Sequence, residues 1–466
     1  MYKKVNDKLL DRLEKETGND VVFSSEESLE PYSRDQTKGL EFYPDIVVKA
    51  RTVAHIRSAL QLANEYKIPV TPRGLGYGLS GGCVPVYGGI VISMERMDKF
   101  LELDEDNLMA VVEPGIITGN FHREIESAGL FYPPDPASLD SCSLGGNIAE
   151  GAGGPQAVKY GTTKDYVCGL EVVLAGGELI KTGGKVVKDA TGYNFTQLFV
   201  GSEGTLGILT KAILRLLPLP PARADLLVAY SSVDNASKTV SALIKKRIIP
   251  SALELMDAAA LKLGENFLGQ EPPFPDAKAH LLITLHGMEK SELDRDIAVI
   301  GEVCDENGAV DVLLSQGSES RERLWKFRRC LFEAAGAKSL LCRSLDPVVP
   351  RSSIPELISY MKGLSEREGF EASCFGHAGD GNIHVTLFPG KYEEALWLKK
   401  YPDFCRQIYE KTISLGGKIA AEHGIGMIRK AYLPMAIEPA QMDLLKNTKR
   451  AFDPLCIMNP GKIFDL

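Results

Sequence analysis

None of the nine cysteines (Cys83, Cys142, Cys168, Cys304, Cys330, Cys342, Cys374, Cys405 and Cys456) has a partner at C-x-x-C spacing. Scattered and odd in number, they argue against a self-contained four-cysteine iron–sulfur site and fit reduced thiols in a cytosol, so a cytoplasmic location is expected. The chain also lacks any apolar run near the roughly 18–20 residues that span a bilayer. Its start, MYKKVNDKLLDRLEKE, is a charged amphipathic helix without the apolar core of a signal peptide, and packing is its expected role. Positive charge is not in excess: the net charge of −9 speaks against a nucleic-acid partner, which needs clustered Lys and Arg. Internal repeats and low-complexity tracts are missing too. What remains, 44% hydrophobic and 25% charged over 466 residues, is ordinary for a soluble enzyme and too long for one core.

Histidine is scarce, seven in all, and three of the seven crowd into two glycine-rich strings. FGHAGDGNIHVTL at 375–387 carries His377 and His384, and AAEHGIG at 420–426 carries Glu422 and His423. In one continuous strand, seven residues of separation would put the two imidazoles on opposite faces. Asp380-Gly381-Asn382 form a reversal, which can return both to one locus. Two imidazoles and a carboxylate make a divalent-metal site with open positions, suited to Zn, Mn or Fe.

Elsewhere the texture predicts an α+β protein. Short β-branched runs (DIVVKA, GIVIS, LMAVVEPG, LEVVLAGGELI, GTLGILTKAILRLLPL) alternate with helical segments such as TVAHIRSALQLANEYK up to a proline-rich break, LLPLPPARA at 216–224. Beyond it, strands DLLVAYSS, HLLITLHGM, GAVDVLLS and HVTLFP alternate with helices NASKTVSALIKK and ESRERLWKFRRCLFEAAG. The last fifty residues read as mostly helical.

Two strings suggest a large anionic ligand. TPRGLGYGLSGGCVP at 71–85 formally matches G-x-G-x-x-G, but it runs into Pro85 and β-branched residues rather than a helix. A dinucleotide site of the helix-capped kind is therefore excluded. Successive glycine amides can instead form a nest for pyrophosphate oxygens, with Arg73 adding charge. The string at 131–167, FYPPDPASLDSCSLGGNIAEGAGGPQAVKYGTTKDYV, is too long for a passive linker and is expected to wrap a ligand.

PRGLGYGLSGG, PPDPAS, LGGNIAEGAGG, VKYG, VGSEGTLGILT, FGHAGDGNIH, EHGIG and NPGK, in this order, resemble the FAD-linked oxidases of the vanillyl-alcohol-oxidase (PCMH-type) superfamily. Within it they are similar to the D-lactate dehydrogenase, D-2-hydroxyglutarate dehydrogenase and glycolate oxidase flavoprotein branch. The resemblance implies a helical segment over 1–40 and a two-subdomain FAD-binding domain over 41–220. It implies a cap domain with an antiparallel sheet flanked by helices over 221–418, and a segment 419–466 that returns to the flavin. It places FAD against Pro72, Arg73, Gly74, Leu75, Gly76, Tyr77, Gly78 and Gly82 in the first loop. The second loop would contribute Pro134, Asp135, Ser138, Gly145, Gly146, Asn147, Ala149, Gly153, Tyr160 and Gly161, joined by Ile208, Glu422 and Asn459. His377, His384 and Glu422 match metal ligands and His423 a catalytic base. Arg328 matches a substrate-carboxylate arginine, with Arg343 a second candidate, and His377 and His384 would also touch substrate. Three departures stand out. Residues 73–82 hold no histidine, so FAD is expected to be non-covalent; Tyr77 stands where a smaller residue is frequent; and Gly151 replaces a frequent asparagine. The implied activity is oxidation of a D-2-hydroxy acid, with electrons leaving to a quinone, a cytochrome, an iron–sulfur subunit or an electron-transferring flavoprotein. Other readings on the same scaffold are an alkylglycerone-phosphate-synthase-like transferase, a non-catalytic electron-transfer subunit of a larger complex, and a cell-wall-precursor reductase.

Overall fold

The structure is a computed structural model that describes residues 2–466. Three large sheets carry the chain, beside a two-stranded pair of Leu130–Phe131 with Leu217–Pro218. The first has the strand order Val22–Phe23, Ile46–Lys49, Ile90–Ser93, Val70–Arg73, the last three mutually parallel. Parallel strands need a crossover, and helix Val53–Tyr66 supplies it. Thr52 caps this helix by accepting from the His55 amide, a contact worth about 1 kcal/mol. Its apolar stripe, Ile56, Ala59, Leu60 and Ala63, packs with Leu9 and Leu13 of helix Asp7–Thr17 onto the sheet. Within the segment expected to be helical, Val22 and Phe23 form a strand, because Val21-Val22-Phe23 is a small apolar run that pairs with Val48 and Val47.

The second sheet is antiparallel, in the order Phe100–Asp104, Met109–Val112, Ile208–Arg215, Val167–Val173, Leu179–Gly183. Strand Ile208–Arg215 alternates buried and half-buried side chains along its length, the period-two signature of a one-sided core.

The third sheet has seven antiparallel strands, ordered Ala309–Leu314, Ala222–Tyr230, Ala279–Gly287, Ala252–Asp257, Glu371–His377, His384–Phe388, Arg343–Leu345. Helices cover both faces. Leu226, Val228 and Tyr230 point to the face covered by helices Val233–Lys245, Lys290–Glu306, Ile354–Glu368 and Glu394–Ser414. Leu227, Leu282, Met256 and Phe375 point to the other face, with helices Ala258–Leu268 and Gly317–Arg329. The stretch 319–336, expected as one helix, is two: Gly317–Arg329 and Leu331–Lys338 meet at Cys330. Among the described residues no helix is long and apolar enough to cross a membrane.

Candidate active site

The glycine loop leaves the C-terminal end of the parallel strand Val70–Arg73, the edge where open parallel sheets hold ligands. Gly76 has φ 79°, and a Cβ there would overlap the Arg73 guanidinium. The amides of Leu75, Gly76, Tyr77 and Gly78 find no acceptor among the described residues, and all four residues line a cavity of about 1070 Å³. Unpaired amides turned to one cavity are the donor array that pyrophosphate oxygens need. Arg73 also lines the cavity and has a second, structural contact. Its guanidinium lies under Gly76, donating to the Pro31 carbonyl at 3.0 Å, so it braces the loop from below.

The opposite wall comes from helix Leu144–Glu150, whose N-cap Ser143 accepts from Gly146. Gly145 lies so close to Pro114 that any Cβ would collide with it. Ser138, Gly145, Gly146, Asn147, Ala149 and Ile208 line the cavity with Pro72, Gly74 and Gly82. A dinucleotide cofactor fits this space: it is large, glycine-walled and rich in backbone donors.

The cavity continues to the cap sheet. Phe375 pairs with His384 across the strands Glu371–His377 and His384–Phe388, so His377, two residues on, shares the face of both. The turn between them delivers His377 Nε2 to within 3.4 Å of His384 Nε2. Glu422 Oε1 completes a triangle, 3.4 Å from His377 Nε2 and 3.5 Å from His384 Nε2. Donors held about 2.1 Å from a shared tetrahedral centre lie about 3.4 Å apart, so the three atoms suit a divalent ion. His423 stacks on His384 at 5.1 Å and points Nε2 at the same Glu422 oxygen, 3.4 Å away.

Asp346, His384, Glu422 and His423 also offer donor atoms within 4.8 Å of one another. The two groupings imply different centres. Asp346 faces the Nδ1 side of both rings and its Oδ2 already accepts three amides, so the Nε2 side is the better-formed one.

Buried carboxylates back the imidazoles. Glu254, opposite His377 in the neighbouring strand, takes His377 Nδ1 at 2.8 Å. Burial alone would raise Glu254, but His377 and Arg328 hold its carboxyl down at about 2. His377 answers in the other direction: burial would lower it, and Glu254 and Glu422 raise it well above the usual imidazole range. Arg328 Nη2 lies 2.6 Å from Glu254 Oε2, yet neither atom makes an aligned hydrogen bond. The contact is an ion pair, and Arg328 Nε and Nη2 keep unused donor capacity beside the cavity they line. Phe375 lies under the guanidinium at 5.0 Å and fixes its plane.

Several expected contacts lie outside the cavity wall. Arg343 donates to the Cys342 carbonyl and stacks on Tyr401, away from the imidazoles. Pro134 accepts from His122, and Asp135 takes the Gln156 amide. Tyr160 meets His286, and Gly161, at φ 86°, ends a short helix. Gly153 backs Glu422, where a Cβ would strike the carboxylate. Asn459 ties the Gly82 and Glu203 carbonyls, both at 2.7 Å, which secures the loop from behind. Glu254 and Asp346 were not singled out from sequence. A carboxylate between two leucines in the strand ALELMD was the available signal for Glu254.

Residues 44–183 match the FAD binding domain family, and residues 219–463 match the family of FAD linked oxidases, C-terminal domain. The chain belongs to the FAD-linked oxidase family. It is 42% identical over 436 residues, 93% of this chain and 92% of the other, to the glycolate oxidase subunit GlcD of Bacillus subtilis. It is 36% identical to a D-lactate dehydrogenase of Anaerostipes hadrus over 99% of this chain and 98% of that one. Among solved structures, p-cresol methylhydroxylase with substrate bound superposes with a TM-score of 0.78 at 20% identity, covering 100% of this chain and 99% of that one. An alkyldihydroxyacetonephosphate synthase does so at 0.77 and 17%, covering 98% and 85%. These two likenesses show the PCMH-type fold alone. As a FAD-linked oxidase, the chain is an enzyme, and its glycine-walled cavity has the size and lining that a flavin nucleotide would need.

Proposed function

We propose that this enzyme oxidises a D-2-hydroxy acid of the lactate or glycolate kind to the 2-oxo acid. The observation that carries the reading is the His377–His384–Glu422 triangle opening, beside Arg328, into the cavity that holds the glycine nest. The names of the relatives, D-lactate dehydrogenase and glycolate oxidase subunit, support the substrate class and favour the D hand. When bound, FAD supplies the hydride acceptor, and a divalent ion (Zn, Mn or Fe) held by the triangle supplies a Lewis acid that makes the substrate hydroxyl more acidic.

The chain's own residues do the rest. Arg328, with donors to spare on a guanidinium fixed by Glu254 and Phe375, grips the substrate carboxylate and orients the Cα–H. His423 Nε2, on the residue next to the ligand Glu422, accepts the hydroxyl proton. Burial of His377, His384 and Arg328 keeps water from the reacting carbon. The substrate thus loses one proton to the chain and one hydride to the cofactor. With no histidine in residues 73–82, FAD is held without a covalent link, and its electrons leave to a separate acceptor such as an electron-transferring flavoprotein or an iron–sulfur subunit.

Anaerobic titration with paired D- and L-2-hydroxy acids, following flavin absorbance, tests the reading. Bleaching by D-lactate or glycolate is expected. Absence of bleaching by any 2-hydroxy acid, or equal rates with both lactate enantiomers, would overturn it.

A further inference from the structure

We propose that Asp346 is the positioning residue that sets the tautomer of both His384 and His423 and joins the two site-bearing strings into one unit. This rests on the reading above for the roles of the imidazoles, although the placement of Asp346 stands on its own.

Asp346 follows the edge strand Arg343–Leu345 and is fully buried. An ionised carboxylate in such a place is costly unless its lone pairs are filled, and here nearly all are. Oδ2 accepts the consecutive amides of Ala421, Glu422 and His423, each at 2.9 Å. Oδ1 accepts Asn382 Nδ2 at 2.9 Å, from the reversal that separates His377 and His384. A single side chain therefore gathers the EHG string and the GDGN turn, which are about forty residues apart in sequence.

The remaining face of Oδ1 looks at two ring nitrogens, His384 Nδ1 at 3.3 Å and His423 Nδ1 at 3.7 Å. Neither nitrogen makes an aligned hydrogen bond in this geometry, so these are facing contacts that a few tenths of an ångström would convert to hydrogen bonds. A carboxylate can only accept, so Asp346 favours a proton on each Nδ1; the Glu422 oxygen near each Nε2 would compete until a divalent ion takes it up, so the preference belongs to the metal-loaded protein. That is the tautomer a metal ligand at His384 and a proton acceptor at His423 both require. Asp346 is not itself placed to ligate, because it lies behind the rings.

An amide at this position has to face donors with one of its two ends. Keeping oxygen toward the three backbone amides turns the NH₂ to the rings, where it donates to Nδ1 and moves the ring proton to Nε2. Asp346→Asn should therefore retain FAD and lose the working tautomer.

The test is ¹⁵N-histidine NMR of the FAD- and zinc-loaded protein, whose seven histidines keep the spectrum assignable through His384→Ala and His423→Ala. The wild type is expected to carry Nδ1–H on both rings, and Asp346→Asn to shift His423 to Nε2–H. Flavin reduction by D-lactate in that variant should slow roughly 10²–10⁴-fold at unchanged FAD content, the usual share of a general base. Nε2–H at both rings in the wild type overturns the assignment, and this measurement needs no variant to fold. Reduction of Asp346→Asn at the wild-type rate overturns it as well. If the wild-type flavin is not reduced by any 2-hydroxy acid, the functional reading falls while the spectra still decide the role of Asp346.

Discussion

The two halves of the cavity are built from opposite materials. The nest at Leu75–Gly78 is backbone: its chemistry is a row of unpaired amides, and its glycines matter for the side chains they lack. The far half is side chain: Glu422 with three imidazoles and Arg328, the last four each backed by a buried carboxylate, gathered at a seven-stranded sheet. Any cofactor with a pyrophosphate satisfies the first. The second would serve the proposed substrate, a small acid with a hydroxyl beside its carboxylate. Binding and chemistry are thus separable, and substitutions should divide along that line.

The sharpest break in the comparison comes from Gly76. Valine there combines a positive φ with a branched side chain aimed at Arg73, so the nest cannot form. Gly76→Val is expected to purify colourless, with FAD below a tenth of an equivalent per chain by absorbance. Yellow protein from this variant would show that the nest is not the anchor. His384→Ala is the converse: FAD stays, the divalent ion goes, and turnover is lost. Elemental analysis of the wild type showing no divalent metal, with full activity in chelator, would dissolve the triangle's role.

Next in size is His423→Ala, which should keep metal and FAD while slowing flavin reduction roughly 10²–10⁴-fold in stopped flow. Arg328→Ala should act more gently on the rate than on binding, because a carboxylate clamp serves ground and transition states alike. It also leaves Glu254 without its ion pair, so loss of stability should accompany weaker binding, and chemical denaturation separates the two.

The same division explains what the sequence disclosed. Glycine strings are written contiguously, so the nest was legible, and so was its departure from a helix-capped loop, since residues beyond it form strand Ile90–Ser93. His377 and His384 could be brought together because Asp380-Gly381 announces a reversal. Glu254 and Asp346 could not be found that way. Each reaches its imidazole through strand pairing or a loop contact far away in the chain, and spacing carries no record of it. For Arg343 the spacing is equally silent: a basic residue near an Asp-Pro turn does not say that its guanidinium donates to the Cys342 carbonyl and stacks on Tyr401.

The smallest effect concerns histidines outside the cavity and contrasts with those within. His122, His280 and His286 are pushed down to about 4 by burial, with neutral partners: a carbonyl for the first two and the Tyr160 hydroxyl for the third. The unfolded chain protonates them near pH 6.5, so the stability their neutral forms carry is present above that and is lost as pH falls toward 4. Each contributes a slope of up to about 1.4 kcal/mol per pH unit. His377 acts in the opposite direction: its raised value keeps it protonated in the chelated fold, so its stabilisation is full below the unfolded value near 6.5 and is lost as pH rises above it. The paired carboxylates act lower still: Glu254 and Glu422 are held down in the fold, and their stabilisation fades only below the unfolded carboxylate range near 4. Burial also raises Asp135 to about 6 and Asp380 to about 7, so the profile between pH 7 and 5 sums opposing groups and His286 is read by difference. In urea unfolding of chelated protein, His286→Gln should lower the slope by up to about 1.4 kcal/mol per pH unit. Equal slopes for the two proteins would mean that this remote imidazole is charged in the fold, and its contrast with the cavity would vanish.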